Sequence, residues 1–416
     1  MRRRELRRLV LIGTAIVVIA VCGVVLYFFR DQAAALFSLT QTVLNILGVG
    51  LVTLIMGCAA LYRRLRRRMP VRLPSHVAFR VGEWTPAVPF VMADGVDLDK
   101  PRVLGPGEME FRVEESSFVM PPELAREREA IVTAYSARTL SQLTDGTVAR
   151  LESFSLLRTP GDEHPNWLLT FSPLSYFDFV CTNLALTGSV RLAALPREAL
   201  AALSEHRRRV DGIPLSFHDS LAETRLGNGL TVHVNIIDAD NNLLVGRRPA
   251  NLSVFPSKLV ASATGAVAWT DRMAAELPPD PFLAAVREAY EETGIRLARR
   301  DIRFFALGMQ ADQRHPLLLG EARVDGRLGE LLRLGKDAWE NERFYYLDLD
   351  NLAVCAAVLV YGDWLPASAV GVCLTLLRQY GYKRVAEALD GARKDHYRRW
   401  LARGEPRRGF GRRHVG

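Results

Sequence analysis

Three glutamates and one arginine lie within six residues, at a spacing that suits metal chemistry. Arg287, Glu288, Glu291 and Glu292 belong to the run Arg-Glu-Ala-Tyr-Glu-Glu-Thr-Gly-Ile. In an α-helix the glutamates stand at i, i+3 and i+4 and share one face. Carboxylates this close repel each other unless a cation lies among them, and oxygen is the ligand that Mg²⁺ prefers. The run therefore predicts a divalent-metal site, with a solvated acidic helix as the alternative.

The flanking residues are typical of a short amphipathic helix. Asp280 is a favourable N-cap, and Pro281 suits the first turn, where its missing N–H costs nothing. Gly294 can adopt the left-handed conformation that ends a helix. The predicted buried stripe consists of apolar residues at helical spacing: Phe282, Val286 and Ala289.

The same run resembles the second half of the Nudix box, whose pattern is Gly, five residues, Glu, seven residues, then Arg-Glu-apolar-x-Glu-Glu-x-Gly-apolar. The resemblance implies a Nudix α/β/α sandwich and hydrolysis of a nucleoside diphosphate joined to another group. It also implies that Glu288, Glu291 and Glu292 bind Mg²⁺, or Mn²⁺ in its place, with Arg287 as their orienting partner. Such a metal neutralises diphosphate oxygens and lowers the pKa of an attacking water.

The first half of the box departs from this pattern. Pro279 stands at the expected Glu position and Met273 at the expected Gly position. The candidate displaced equivalents are Gly265 and Glu276, which require an insertion in the loop that contains Glu276, Pro278 and Pro279. We expect residues 264–267 to form the strand that leads into this loop, and we expect no catalytic role for Glu276.

Other short sequence segments resemble those of a Nudix subgroup that includes an animal UDP-glucose and UDP-galactose diphosphatase. They are the segments 175–179, 182–183, 226–228, 247–248 and 315–320. This resemblance implies a UDP-sugar as the substrate.

Further site residues are expected near the predicted strands. Arg247 and Arg248 can bind phosphate oxygens, because the N–H donors of a guanidinium form a planar fork that matches the geometry of those oxygens. The alternative is that both arginines are ordinary surface charges. Glu340 or Glu342 is a candidate for the water-activating base, since that role needs a carboxylate near the metal-bound water.

Two apolar stretches near the amino terminus predict a transmembrane hairpin over residues 1–69. Leu9 to Phe29 runs for 21 residues without a charge, and Val43 to Tyr62 follows. A bilayer core of about 30 Å is crossed by roughly 20 apolar residues. Arginines flank the pair at both ends, so the positive-inside rule predicts a multi-pass cell-membrane protein with both termini and the soluble domains in the cytoplasm. A cleaved signal peptide is the alternative.

Length and composition predict further domains after the hairpin. The chain has 416 residues, 49% of them hydrophobic, which is enough for more than one core. We expect an α+β extension at 70–227, a Nudix domain at 228–390 and a basic tail at 391–416. The five cysteines show no paired spacing, which argues against a disulfide framework or a zinc site.

The net charge of +8 is concentrated at the hairpin and the tail. We therefore expect a lipid bilayer as a partner and no specific nucleic acid, and the Nudix resemblance adds a nucleoside diphosphate derivative as a partner. The tail is expected to be disordered or held on anionic headgroups. RNA binding is the alternative, through stacking by Tyr397, Trp400 and Phe410.

Apolar periodicity completes the predicted fold. It predicts one helix at 121–143 and another at 367–379. Strands are predicted at 148–157, 167–171, 230–237, 243–246, 304–309, 317–324 and 344–347. The fold class expected is α/β, a Nudix sandwich with an α+β extension and two transmembrane helices.

These features favour one function and leave a rival. The leading hypothesis is a membrane-anchored, Mg²⁺-dependent pyrophosphohydrolase acting on a nucleoside diphosphate derivative such as a UDP-sugar. The rival is a nucleotide-sensing Nudix-like domain coupled to a transmembrane effector hairpin, which the missing Glu of the first half-box favours.

Overall fold

The computed structural model describes Val17 and residues 77–403, apart from 95, 137–143, 159–164, 188–194, 251–254 and 334–340. The chain divides into two compact units, Met1–Met69 and Pro70–Gly416. The elements below belong to the second unit.

The second unit alternates strands and helices. Its strands are β1 Phe90–Met92, β2 Met109–Val113, β3 Thr147–Leu157, β4 Asn166–Ser175, β5 Thr231–Ile237, β6 Asn242–Arg247, β7 Leu259–Val260, β8 Ala263–Ala266, β9 Ile302–Gln310, β10 Pro316–Arg323 and β11 Arg343–Asp348. Its helices are α1 Pro122–Arg126, α2 Arg128–Ser136, α3 Tyr176–Thr182, α4 Arg197–Asp211, α5 Phe217–Leu221, α6 Pro281–Thr293, α7 Leu328–Leu331, α8 Leu352–Tyr361, α9 Pro366–Tyr380, α10 Tyr382–Asp390 and α11 Lys394–Arg403. Short 3₁₀ turns cover Leu184–Thr187 and Arg299–Asp301.

Eight strands form the larger sheet. Six of them lie in the order β1-β9-β10-β5-β6-β11, while β7 pairs with β6 and β8 pairs with β5. At its centre β5 and β10 run parallel, with Thr231 opposite Leu317, while the other pairs are antiparallel. Two parallel strands need a long crossover, and β8, α6 and β9 lie along the chain between them. The crossover therefore carries α6 over one face of the sheet.

The larger sheet splits between β5 and β6. These strands pair at one position, Ile237 with Leu243, and then diverge, so that β8 pairs with β5 and β7 pairs with β6. Ser262 bridges the two sides, because its hydroxyl accepts from the N–H of Ile236 at 2.7 Å and donates to the carbonyl of Leu244 at 2.5 Å. The split leaves backbone N–H and C=O groups at the strand edges, and side chains must provide their hydrogen-bond partners.

Alternation along β5 directs residues to two different layers. Val232, Val234 and Ile236 belong to the core that includes Phe282 and Ala289 of α6. His233 and Asn235 face the other way, toward α9. The sheet is thus covered by α6 on one face, while the other face is packed against α8, α9 and α10.

A second sheet of three strands, in the order β2-β4-β3, covers the same side as α6. Phe111 of β2 lies 6.1 Å from Phe171 of β4 and 6.3 Å from Phe282 of α6, measured between ring centroids. These rings share one hydrophobic core with Val232 and Val234 of the larger sheet. Because α6 is packed between two sheets, its position is fixed from both sides.

Most of the predicted elements are confirmed. The strands predicted at 148–157, 230–237, 243–246, 304–309, 317–324 and 344–347 occur within two residues of their predicted bounds, and the helix predicted at 367–379 is α9. The helix predicted at 121–143 is instead broken into α1 and α2 around Glu127. Uniformly apolar α8 was not predicted, because Leu-Ala-Val-Cys-Ala-Ala-Val-Leu-Val-Tyr shows no helical period.

The predicted fold class with two transmembrane helices is wrong. In the part of the chain that the structure describes, every helix is too short or too polar to cross a membrane. The apolar helices α8 and α9 have 10 and 15 residues, and even fifteen residues span only about 22 Å at 1.5 Å each. The described residues form a mixed α/β structure with two sheets. The predicted hairpin at 1–69 lies outside the described residues, apart from Val17. The predicted membrane localisation, which depended on transmembrane helices, is wrong for the same reason.

The first part of the tail also differs from expectation. Residues 394–403 form α11, and Trp400 is buried against Tyr345, with 5.1 Å between ring centroids. The indole N–H of Trp400 donates to the carbonyl of Tyr346 at 3.0 Å. Trp400 is therefore not available to stack on a base. Phe410 lies outside the described residues.

Two buried histidines predict that the protein loses stability in mild acid. Burial lowers the pKa of His233 to about 3 and that of His315 to about 3. Between pH 6.5 and pH 3 the unfolded chain therefore binds protons that the folded chain does not. The free energy of unfolding should fall below about pH 6.5, by at most about 1.4 kcal/mol per pH unit for each histidine.

Urea unfolding of the wild type and His315→Gln at pH 7.5 and pH 5.5 tests this expectation. The variant should start less stable and lose less free energy between the two pH values. His218→Gln is the control, because His218 is exposed beside Asp94. An equal loss in wild type and His315→Gln would contradict the assignment.

Candidate active site

Both ends of α6 are fixed by their capping residues. The side chain of Asp280 accepts from the N–H of Phe282 at 2.9 Å and also pairs with Arg299 at 2.5 Å. At the other end Gly294 has φ 70° and donates its N–H to the carbonyl of Tyr290 at 2.9 Å. The predicted N-cap, first-turn proline and terminal glycine are thus confirmed. The helix packs its apolar stripe in the core, while Glu288 and Glu292 face β8.

Arg287 connects the acids of the site. Its Nε and Nη2 donate to the two carboxylate oxygens of Asp271 at 2.8 and 2.9 Å, and Nη2 also donates to the carbonyl of Ala266 at 2.9 Å. Its Nη1 donates to Glu288 at 2.7 Å and to Glu291 at 3.2 Å. One guanidinium therefore joins the loop, the strand end and the helix, and the orienting role predicted for Arg287 has a geometric basis.

The surroundings of Arg287 favour its charged form. Burial by itself lowers the pKa of Arg287, but the hydrogen bond to Asp271 and the charges of Glu288 and Asp271 outweigh that effect and raise the pKa. The arginine consequently carries a positive charge at neutral pH.

Asp271 is the residue that sequence reasoning missed. Its side chain is only 6% exposed, and it also accepts from the N–H of Ala268 at 2.8 Å. Five residues separate Gly265 from Asp271, which is the spacing of the first half of the box. The insertion therefore follows the loop acid instead of preceding it. Glu276 is exposed, and the structure puts Asp271, not Glu276, beside Arg287.

Gly265 lets Glu288 approach the strand closely. A Cβ atom at Gly265 would lie 2.0 Å from Oε1 of Glu288, a distance at which one of the two must move. Gly265 belongs to β8, opposite Val232 of β5. The glycine that the box requires thus serves here as space for a carboxylate against the sheet.

Glu292 lies at the split of the sheet and is 2% exposed. Its Oε1 accepts from the N–H of Thr264 at 3.1 Å, and its Oε2 accepts from the side-chain amide of Asn341 at 3.1 Å. Asn341 is buried beside Gly246, where a Cβ atom would lie 2.3 Å from its Oδ1. Glu292 therefore joins β8 to the start of β11. The sequence contained no pattern that marked Asn341.

The two arginines predicted to bind phosphate are placed differently. A hydrogen bond with Tyr345 raises the pKa of Arg247. Since neighbouring strand residues point to opposite faces, Arg247 lies on the face opposite to the contact of Gly246 with Asn341. Arg248 is half-buried just beyond β6, and its N–H donates to the carbonyl of Lys258 at 2.9 Å. Phosphate binding by both remains a prediction.

One of the two candidate bases, Glu342, lies near Arg247. Glu342 is exposed, and its charge contributes to the raised pKa of Arg247. Glu340 lies outside the described residues.

Two of the segments that resemble the UDP-sugar subgroup, 182–183 and 226–228, meet at one buried junction. Thr182 accepts from the N–H of Gly227 at 3.1 Å, and Asn183 accepts from the N–H of Asn228 at 3.1 Å. The amide of Asn183 also donates to the carbonyl of Arg314 at 3.2 Å. Thr182, Asn183 and Asn228 are fully buried. These two segments hold the extension against the larger sheet.

The donor set of the site suits a hard divalent cation. Asp271, Glu288 and Glu291 surround one guanidinium, and Glu292 adds a fourth carboxylate on the same helix. This excess of negative charge consists of oxygen ligands, which suit Mg²⁺ or Mn²⁺. Among the described residues, no group of three or more acidic, histidine or cysteine side chains is already arranged around a metal position.

Comparisons with known proteins give a likeness to MutT and Nudix structures. No family model matches this chain, and neither does any curated protein. A Deinococcus radiodurans structure is 20% identical, covers 35% of this chain and 80% of that one, and has a TM-score of 0.27. A MutT protein from Methanosarcina mazei is 13% identical, with 36% and 93% covered and a TM-score of 0.25. A MutT/nudix family protein from Enterococcus faecalis is 15% identical, with 39% and 80% covered and a TM-score of 0.22. Because these TM-scores are low, we base the function on the site itself.

Replacing Asp271 tests the contact with Arg287. Asp271→Asn keeps the shape but removes the charge that partners Arg287. Breaking a buried ion pair costs about 3 to 5 kcal/mol. Since Arg287 is 30% exposed, we expect the free energy of unfolding to fall by about 2 kcal/mol. Glu276→Gln is the matched control and should leave stability unchanged in urea unfolding. Equal effects of the two substitutions would show that Asp271 is not the loop acid.

Proposed function

We propose that this protein is a divalent-metal-dependent hydrolase that cleaves the pyrophosphate linkage of a nucleoside diphosphate joined to another group. The observation that carries the proposal is the set of contacts made by Arg287. This one side chain holds Asp271 of the loop together with Glu288 and Glu291 of the helix, while Gly265 makes room for Glu288. Both halves of the box thus meet in space despite the longer loop.

The charge of the site supports metal dependence. A diphosphate is anionic, and four carboxylates against one guanidinium repel it. Glu288, Glu291 and Glu292 are the residues that would hold Mg²⁺. When bound, the metal supplies charge neutralisation for the diphosphate and a water of lowered pKa.

The protein's own residues prepare the site for this chemistry. Arg287 limits the rotation of Glu288 and Glu291, because it donates to both through Nη1. Thr264 and Asn341 fix one oxygen each of Glu292. A carboxylate so held needs less reorganisation when it meets a cation, and this is the form in which electrostatic catalysis is most effective.

For the substrate we propose UDP-sugars as the first class to test. The support is the sequence resemblance alone, since two of the segments that carry it, 182–183 and 226–228, are buried at the junction of the extension and the sheet. UDP-glucose and UDP-galactose should therefore be compared with ADP-ribose, NADH and dinucleoside polyphosphates.

The proposal predicts hydrolysis by the full chain with Mg²⁺, and no hydrolysis after the metal is chelated. Chromatography should detect a nucleoside monophosphate among the products. Glu291→Gln should lower kcat/KM by at least about 100-fold, because a metal–carboxylate contact is worth several kcal/mol in the transition state. Glu291 is only partly buried, so the variant should remain folded.

Glu276→Gln is the control for hydrolysis, since Glu276 is exposed and separate from Arg287. Full activity of Glu291→Gln would refute the assignment. Nucleotide binding without turnover in the wild type would instead favour a sensor, the rival function, without the transmembrane coupling first attached to it.

A further inference from the structure

We propose that α11 forms a binding site for a small phosphate monoester with a flat ring, such as a nucleoside monophosphate. Two adjoining cavities, of about 420 and about 450 Å³, lie along this helix and share His396 and Arg399. Cavities of about 300 to 1,000 Å³ are typical of small-molecule sites. The site uses none of the acids of α6, so it stands or fails independently of the proposed hydrolysis.

Basic residues converge on these cavities from one side of α11. Arg393 immediately precedes α11, and His396 and Arg399 follow three and six residues later, so that His396 and Arg399 share one helix face. Arg398 also lines the second cavity. Among the described residues, Arg398 pairs with Asp395 at 3.7 Å, whereas Arg393 and Arg399 have no ion pair. Asp348 and Asp395 are the acids that line the cavities, so positive charge predominates.

The position of these cations is unfavourable without an anion. Arg393 immediately precedes α11 and Lys394 begins its first turn, at the end where the helix dipole is positive and repels cations. Asp395 is the acid of that turn. A phosphate there would accept hydrogen bonds from both guanidinium groups and from the N–H groups at the start of the helix. Anions bind helix amino termini, and a guanidinium matches the geometry of phosphate oxygens.

The helix is held firmly enough to present such a site. Trp400 is 7% exposed and lies 5.1 Å from Tyr345 and 6.2 Å from Tyr397, measured between ring centroids. Trp400 and Tyr346 both line the first cavity. Tyr346 is 45% exposed, and it offers the flat surface on which a ring can pack.

Titration calorimetry of the full chain tests the site, with metal removed so that the acids of α6 do not contribute. The probes are UMP, inorganic phosphate and uridine. We expect UMP to bind, phosphate to bind more weakly, and uridine to bind least. Arg393→Gln combined with Arg399→Gln should weaken UMP binding at least about 10-fold, because two charge-assisted contacts are lost. Tyr346→Ala should weaken UMP binding but not phosphate binding.

The matched control combines Arg112→Gln with Arg300→Gln, two exposed arginines on other elements, and should bind UMP as the wild type does. Circular dichroism should show that both double variants are folded. Unchanged UMP binding by the Arg393 and Arg399 variant would overturn the proposal. So would binding of uridine as tight as that of UMP, or binding of a uridine oligonucleotide when UMP does not bind, which would indicate a nucleic-acid surface instead.

Discussion

The ion-pair network of Arg287 is the interaction on which the site depends. A guanidinium has five N–H donors in a fixed plane, so it can satisfy several acceptors at defined angles. Here it uses them on Asp271, Glu288, Glu291 and the carbonyl of Ala266. Without it, a loop, a strand end and a helix that all carry negative charge or carbonyl dipoles would repel one another. The same network that assembles the acids therefore also stabilises the loop that enters α6.

Packing places this network at a fixed point of the fold. Phe282 of α6 meets Phe304 of the larger sheet at 4.8 Å and Phe111 of the smaller sheet at 6.3 Å, between ring centroids. A helix packed from two sides has little freedom to shift, because interiors are close-packed. The extension is thus part of the site's support. The hydrogen bond between Asn183 and Asn228 also holds the extension to the chain just before β5.

The split between β5 and β6 explains why a fully buried glutamate is tolerated. A buried carboxylate is costly unless its oxygens accept hydrogen bonds. The diverging strands supply donors at the split, with the N–H of Thr264 on one side and the amide of Asn341 on the other. Local sequence could place Glu292 on a helix face. It could not show that a residue 49 positions later completes its environment.

By itself the sequence determined the elements whose cause is local. Asp280, Pro281 and Gly294 define α6 through capping and backbone preference, and alternation defines the strands of the larger sheet. Only the tertiary structure decided which acid meets Arg287 and that the apolar helices α8 and α9 are core elements. The acid was misassigned because the box was counted backward from the helix through an inserted loop, whereas the contact depends on distance in space. The opening run thus contained Arg287, Glu288 and Glu291, and the tertiary structure brings Asp271 to the same guanidinium.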